Sequence, residues 1–245
     1  MKRIIAILLT AAMLVCVASC GEDKKTDAEK IVDDFNAELD DALGDLEDAV
    51  DDLDDALEDY DDDDDDFKAT SSKFVVGEEN GNVYTNAFSG IKFEKPADWT
   101  FATFEEKAEL MDTGLELADR NEFEKKVAEL TTVYDMVATS AEGNHVQVLY
   151  ENLALLKAED MTEEEYINSV VEGMKSVGLY DITTGEPTPA TLDDALYTSV
   201  DIELVISGIT QYQKLFVKKI GDYMCCVLIT CQNAAYIEEV IDMFD

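Results

Sequence analysis

The stretch TSVDIELVISGITQYQKLFVKKIGDYMCCVLIT, residues 198–230, decides the fold. It holds three runs rich in β-branched and aromatic residues, at about 198–206, 210–219 and 223–230, which read as strands. Ser207-Gly208 and Ile220-Gly221-Asp222 separate them, and turns this short join neighbouring strands only in antiparallel order. Upstream, Val133 to Thr139 and Val146 to Tyr150 form a second pair of strands around the turn Ser140-Ala141-Glu142-Gly143-Asn144.

Helices fall between and after these strands. Thr162 with Glu165 has capping-box spacing, and Tyr166, Ile167, Val170, Val171 and Met174 give the helix that follows one apolar face, ending near Gly178. Asn233 is placed to cap a last helix with Ala235, Ile237, Val240, Ile241 and Phe244. The stretch YTNAFSGIKFEKPADWTFAT, residues 84–103, reads as short strands around turns at Ser89-Gly90 and Pro96-Ala97-Asp98. A second capping box, Thr103 with Glu106, opens a helix carrying Phe104, Ala108, Leu110 and Met111, which Gly114 is placed to interrupt. Residues 121 to 130 also show a helical face of Phe123, Val127 and Leu130. Adjacent strands with inserted helices predict an α/β domain over 74–245, its mostly antiparallel sheet covered by helices. A domain of that size buries roughly 70 per cent of its unfolded surface, enough for a substantial core.

Phe88-Ser89-Gly90-Ile91-Lys92-Phe93, Pro96 and Trp99, followed by Tyr212-Gln213-Lys214-Leu215 and Gly221-Asp222-Tyr223-Met224, resemble the PsbP-like fold over residues 80–244. That resemblance implies an α/β/α sandwich of the kind found in photosystem accessory proteins, nuclear-transport cofactors and poorly characterised lipoproteins of Gram-positive bacteria. It implies a binding or assembly role and brings no active site with it.

The N-terminal third has a different texture. Met1-Lys2-Arg3 precedes the apolar run IIAILLTAAMLVCV, which is short for a membrane span and gives way to GEDKK. Val17-Ala18-Ser19-Cys20-Gly21 resembles the lipobox of bacterial lipoproteins; Cys16, behind Leu14 and Val15, fits worse. The resemblance implies a signal peptide over 1–19, cleavage before Cys20, and acylation of that cysteine. A lipid-anchored protein on the extracytoplasmic face of the cell membrane follows, with a lipidated N-terminus over 20–27.

The chain carries a net charge of -39, and residues 22–67 hold 24 carboxylates against three lysines. Such a polyanion disfavours nucleic acid, which recruits Lys and Arg. Within this acidic block Val32, Leu39, Leu46, Leu53 and Tyr60 recur every seven residues, with Phe35, Ala42, Ala49 and Ala56 three after the first four. That pattern predicts an acidic amphipathic helix over 28–60, about 50 Å long, leading to an acidic linker over 61–73. Its stripe could fold back on the domain, pair with another helix or stay solvated, while repeated like charges oppose the helix. Asp61 to Asp66 has the carboxylates of a calcium loop but neither its turn glycine nor its closing glutamate, which leaves weak, nonspecific divalent-cation association.

Little in the sequence points to catalysis. His145 is the single histidine; alternation sets it with Gln147 opposite Val146 and Val148, as a surface or half-buried structural residue. Gly-x-Ser-x-Gly, Walker and dinucleotide motifs are absent. Cys225, Cys226 and Cys231 read as small buried strand residues, since Cys225 and Cys231 would lie about 20 Å apart, too far for a disulfide. Tyr84, Trp99, Tyr212 and Tyr223 could line a groove but suit the core better. The residues thus assign no catalytic, cofactor or metal role. The PsbP-like resemblance implies a binding or accessory module with an envelope protein or small solute as partner; the alternative is a hydrolase using carboxylates and His145.

Overall fold

The computed structural model describes residues 74–111, 127–177, 181–206 and 208–244. The signal peptide, Cys20, the 28–60 helix, the 61–73 linker, Gly114, the 121–126 part of the expected helix and the helix end at Gly178 lie outside the described residues. Within them stand β1 (Glu78–Asn80), β2 (Val83–Thr85), β3 (Lys92–Glu94), β4 (Thr100–Phe101), α1 (Phe104–Leu110), β5 (Thr132–Thr139) and β6 (His145–Asn152). α2 (Glu163–Val177), β7 (Asp181–Thr184), β8 (Thr188–Leu192), β9 (Ala195–Ile206), β10 (Ile209–Ile220), β11 (Tyr223–Cys231) and α3 (Ala235–Ile241) complete the order.

The main sheet runs β4-β5-β6-β11-β10-β9-β7, with β8 also on β9, and its pairings are antiparallel. The opening stretch supplies β9 to β11, as its composition predicts, with Gly208 and Gly221 at positive φ in the two tight turns. The α/β architecture with an antiparallel sheet is the observed one. β7 and β8 were not legible as strands: DITT and TPATL are polar and broken by proline, and both lie along the outer side of β9. Pro189 is tolerated on this edge because the N–H it lacks is not needed by an inner neighbour.

One face of the sheet carries α2, whose Tyr166 lies against Cys226 and Glu151. The other face carries the small β1-β2-β3 sheet and α3. Phe74, Phe88, Tyr150 and Tyr223 stack there with ring centroids 4.8 to 5.9 Å apart, and Phe93 meets Phe244 at 4.8 Å. β6 and β11 are central and covered on both faces, so every residue of each is buried. Both expected capping boxes form: Thr103 with Glu106 on α1, and Thr162 with Glu165 on α2. The α3 start differs slightly, because Ala234 holds the cap position while the Asn233 side chain accepts from the Ala235 N–H at 3.0 Å. Only a short 3-10 turn, Val127–Glu129, is described in the stretch expected to be helical up to residue 130.

Candidate functional site

His145 is fully buried, not at the surface or half-buried. Alternation placed it correctly with Gln147 on one face, but that face of the central strand is covered. Among the described residues neither ring nitrogen has a hydrogen-bond partner, and burial lowers the imidazole pKa to about 4. A general base needs an accessible proton and an orienting partner, and His145 has neither. Its neighbours across the sheet are Thr139, Thr230 and, one strand further, Gln213; with Gln147 they form a polar layer in which Thr139 is half-buried and the others are buried.

The three cysteines are free and buried, as their strand positions predict. Burial pushes the Cys225 and Cys231 thiols up to about 12 and Cys226 well above its ordinary value. Such thiols are neither nucleophiles nor metal ligands at neutral pH. Tyr84, Trp99 and Tyr223 belong to the core, and Tyr212 is half-buried. Among the described residues no cluster of three or more His, Cys, Asp or Glu could hold a metal ion, and no helix is long and apolar enough to cross a membrane.

Two buried carboxylates distinguish the domain. Asp135, at an irregularity in the β5 pairing, accepts from the Gly77 N–H at 2.9 and 3.0 Å, the Tyr84 hydroxyl at 2.5 Å and the Asn86 amide at 2.7 Å. Lys107 of α1 donates to the Asp135 carbonyl and pairs with Glu79, both at 3.0 Å. Desolvation raises the Asp135 pKa, and the donors from Tyr84, Asn86 and Gly77 oppose that rise. Both carboxylate oxygens are engaged, so Asp135 is a structural hub that joins the entry of the domain to the sheet.

Glu151, on the α2 face of β6, is different. It is 0 % exposed, and desolvation raises its pKa to about 8, only partly opposed by the neighbouring Tyr166 hydroxyl. Among the described residues neither carboxyl oxygen, nor the Tyr166 hydroxyl, makes a hydrogen bond of ordinary geometry. Both line a cavity of about 440 Å³. Its walls are Leu153, Leu156, Met161, Tyr166 and Val170, with Lys157, Glu159, Asp160, Glu165 and Ser169 around them.

Sequence and packing explain why this hollow exists. After β6 the chain turns away through Leu153–Met161, where Leu153 N–H donates to the Asp222 carbonyl at 2.7 Å and Ala158 N–H to the Leu153 carbonyl at 2.8 Å. Lys157 adopts a positive φ of 52°, turning the loop outward. Lys219 of β10 then donates to the carbonyls of Glu159 and Met161, fixing the loop to the sheet. The Thr162 cap sets the start of α2 and holds the Glu165 carboxyl below its ordinary pKa through the Thr162 N–H. Sheet, loop and helix thus hold a fixed concavity with a protonated carboxyl at its inner end.

Sequence reasoning missed Glu151, since nothing in LYENL distinguishes it from a strand-end glutamate at the surface. The available signal was its register: it shares the face of His145, Gln147 and Leu149 on a strand buried throughout. It lies six residues from His145, about 20 Å along the strand, so the two form no acid–base pair.

No protein-family model matches the chain, and no curated protein matches it. Among solved structures the chain is similar to the solution structure of the cyanobacterial PsbP protein CyanoP from Synechocystis sp. PCC 6803, at 10% identity and a TM-score of 0.40, over 73% of this chain and 97% of that one. It is also similar to the crystal structure of LpqN, involved in cell envelope biogenesis of Mycobacterium tuberculosis, at 10% identity and a TM-score of 0.29, over 62% of this chain and 76% of that one.

Proposed function

We propose that the chain is a lipoprotein anchored through Cys20 on the extracytoplasmic face of the cell membrane, and that its α/β domain is a binding module without catalysis. The observation that carries the binding role is the cavity between β6, the 153–161 loop and α2. Buried polar groups in folded proteins are normally paired, because leaving one unpaired costs about 1–3 kcal/mol. Glu151 and Tyr166 carry that cost side by side, at the inner end of a space of the size that takes small ligands. The lipobox ending at Cys20 and the acidic block after it support the anchor and the tether.

The test is affinity capture of the full mature chain from envelope extract, alongside a Ser169→Trp variant that fills the cavity. A solute or protein retained by the wild type and lost from the variant is the expected result. Identical recoveries from both proteins would overturn the assignment of this cavity as the binding site.

A further inference from the structure

The chemistry of the cavity narrows what it can bind; the inference rests on the binding role above. Its inner end holds Glu151 and Tyr166, both at least nine-tenths buried and lying against each other, neither making a hydrogen bond of ordinary geometry among the described residues. Its middle is apolar, formed by Leu153, Leu156, Met161 and Val170. Among the described residues its rim carries Glu159, Asp160 and Glu165 against Lys157. Glu165 is held ionised by its bonds to Thr162, with a smaller contribution from Lys219. Lys219 itself donates to the carbonyls of Glu159 and Met161.

We propose that this cavity binds the ammonium or guanidinium end of a ligand with an apolar body, the cation seated on Glu151 and the body against Leu153, Leu156, Met161 and Val170.

Three physical arguments converge on that choice. An anionic end would have to pass three rim carboxylates to reach Glu151, and once there would keep that carboxyl from ionising. A neutral polar end would satisfy Glu151 but draw nothing from the acidic rim or from the net charge of -39 on the chain. A cation gains from all of these, and it removes the reason for Glu151 to stay protonated. A buried carboxylate is disfavoured only while it lacks a counter-charge. Among the described residues the titratable groups facing Glu151 are Tyr166 from α2, Tyr134 from β5 and Cys226 from β11, none of which supplies a positive charge. Seating a cation therefore transfers the Glu151 proton to solvent, and the bound state is an ion pair. The cation itself keeps its protons, so charge and protons balance with one proton released.

Such a cation could be a free organic amine or a Lys or Arg side chain from an envelope protein, and soluble probes separate the two. Binding of n-butylammonium, 1-butanol, butyrate and the blocked peptide acetyl-Leu-Arg-Leu-amide to the full chain is measured by calorimetry near neutral pH in buffers of different ionisation enthalpy. The expected result is cation binding at least tenfold tighter than that of butanol or butyrate, with release of close to one proton. Glu151→Gln should weaken cation binding tenfold or more while remaining folded by circular dichroism, and Ser169→Trp should abolish it. Tighter binding of the peptide assigns the natural cation to a protein partner, and tighter binding of butylammonium assigns it to a free amine. The proposal is overturned if neither cation binds at millimolar concentration, or if cation binding releases no proton or survives Glu151→Gln. Butanol or butyrate binding as tightly as the cation and lost in Ser169→Trp would overturn the cation preference while leaving the cavity a binding site.

Discussion

The Tyr84 hydroxyl donates to the Asp135 carboxylate over 2.5 Å, joining the small β1-β2-β3 sheet to an inner strand of the large one. The bond is buried and spans 51 residues of sequence. It therefore reports on docking of the two sheets. Tyr84→Phe leaves the shape intact and removes the donor, and should lower stability by about 1–2 kcal/mol in urea unfolding.

Gly77 tests the same hub from the backbone side. A Cβ there would meet Tyr84 Cε2 at 2.3 Å and the Asp135 Oδ2 at 2.7 Å. Neither group can retreat without breaking its own hydrogen bond. Gly77→Ala should cost about 3 kcal/mol, more than Tyr84→Phe, and the double variant should lose less than the sum because both act on one network.

Glu151 imposes a pH dependence of defined sign. Its pKa stands at about 8 folded against 4.5 ordinarily, so across that interval the folded chain holds a proton that the unfolded chain releases. Stability from this group is fully present below 4.5 and is lost as pH rises towards about 8. Glu151→Gln should remove that slope and stabilise the protein at about pH 8 by a few kcal/mol, on the scale of about 1.4 kcal/mol per pKa unit. Denaturation midpoints across the pH range give the answer; a variant with the wild-type slope would refute it.

His145 works in the opposite direction. Its pKa falls from 6.5 to about 4 on folding, so the unfolded chain binds the extra proton between those values. Stability is lost as pH drops through that window. His145→Gln should unmask the Glu151 slope between about 4.5 and 6.5, so that stability falls with rising pH across an interval where the wild type is nearly flat. In the wild type the two groups oppose each other where their windows overlap, which places the pH of steepest decline above the His145 window. Imidazole resonances that do not titrate above about pH 5 would provide an independent check.

The three strand thiols should ignore alkylating reagents in the native state and react after unfolding, since burial holds Cys225 and Cys231 near 12 and Cys226 higher still. For the anchor, Cys20→Ala should abolish incorporation of a fatty-acid analogue. Persistent labelling would place the lipid on another residue.

What was legible in the sequence follows from where local pattern and tertiary burial agree. β9, β10 and β11 were readable because alternation, β-branched residues and glycine turns all pointed the same way. β7 and β8 were not, because an edge strand buries little and can be written in Thr, Pro and Asp. His145 was assigned to the correct face but the wrong environment: alternation tells which residues share a face, and only the packed layers tell whether that face is wet. The candidate site failed to show for the same reason. Tyr166 was visible on the apolar face of α2, yet its meeting with Glu151 depends on how α2 crosses β6.

The Asp135 hub also has a mechanical meaning. Any pull on the chain ahead of Phe74 reaches the domain within a few residues of Gly77, whose N–H is held by both oxygens of Asp135. Load is thus delivered to β5, one strand in from the short β4 edge, and shared by Tyr84 and Asn86. If the leading end is fixed at Cys20 as proposed, the joint meets tension as a cluster of bonds loaded together, and the first strand is not left to peel away one bond at a time.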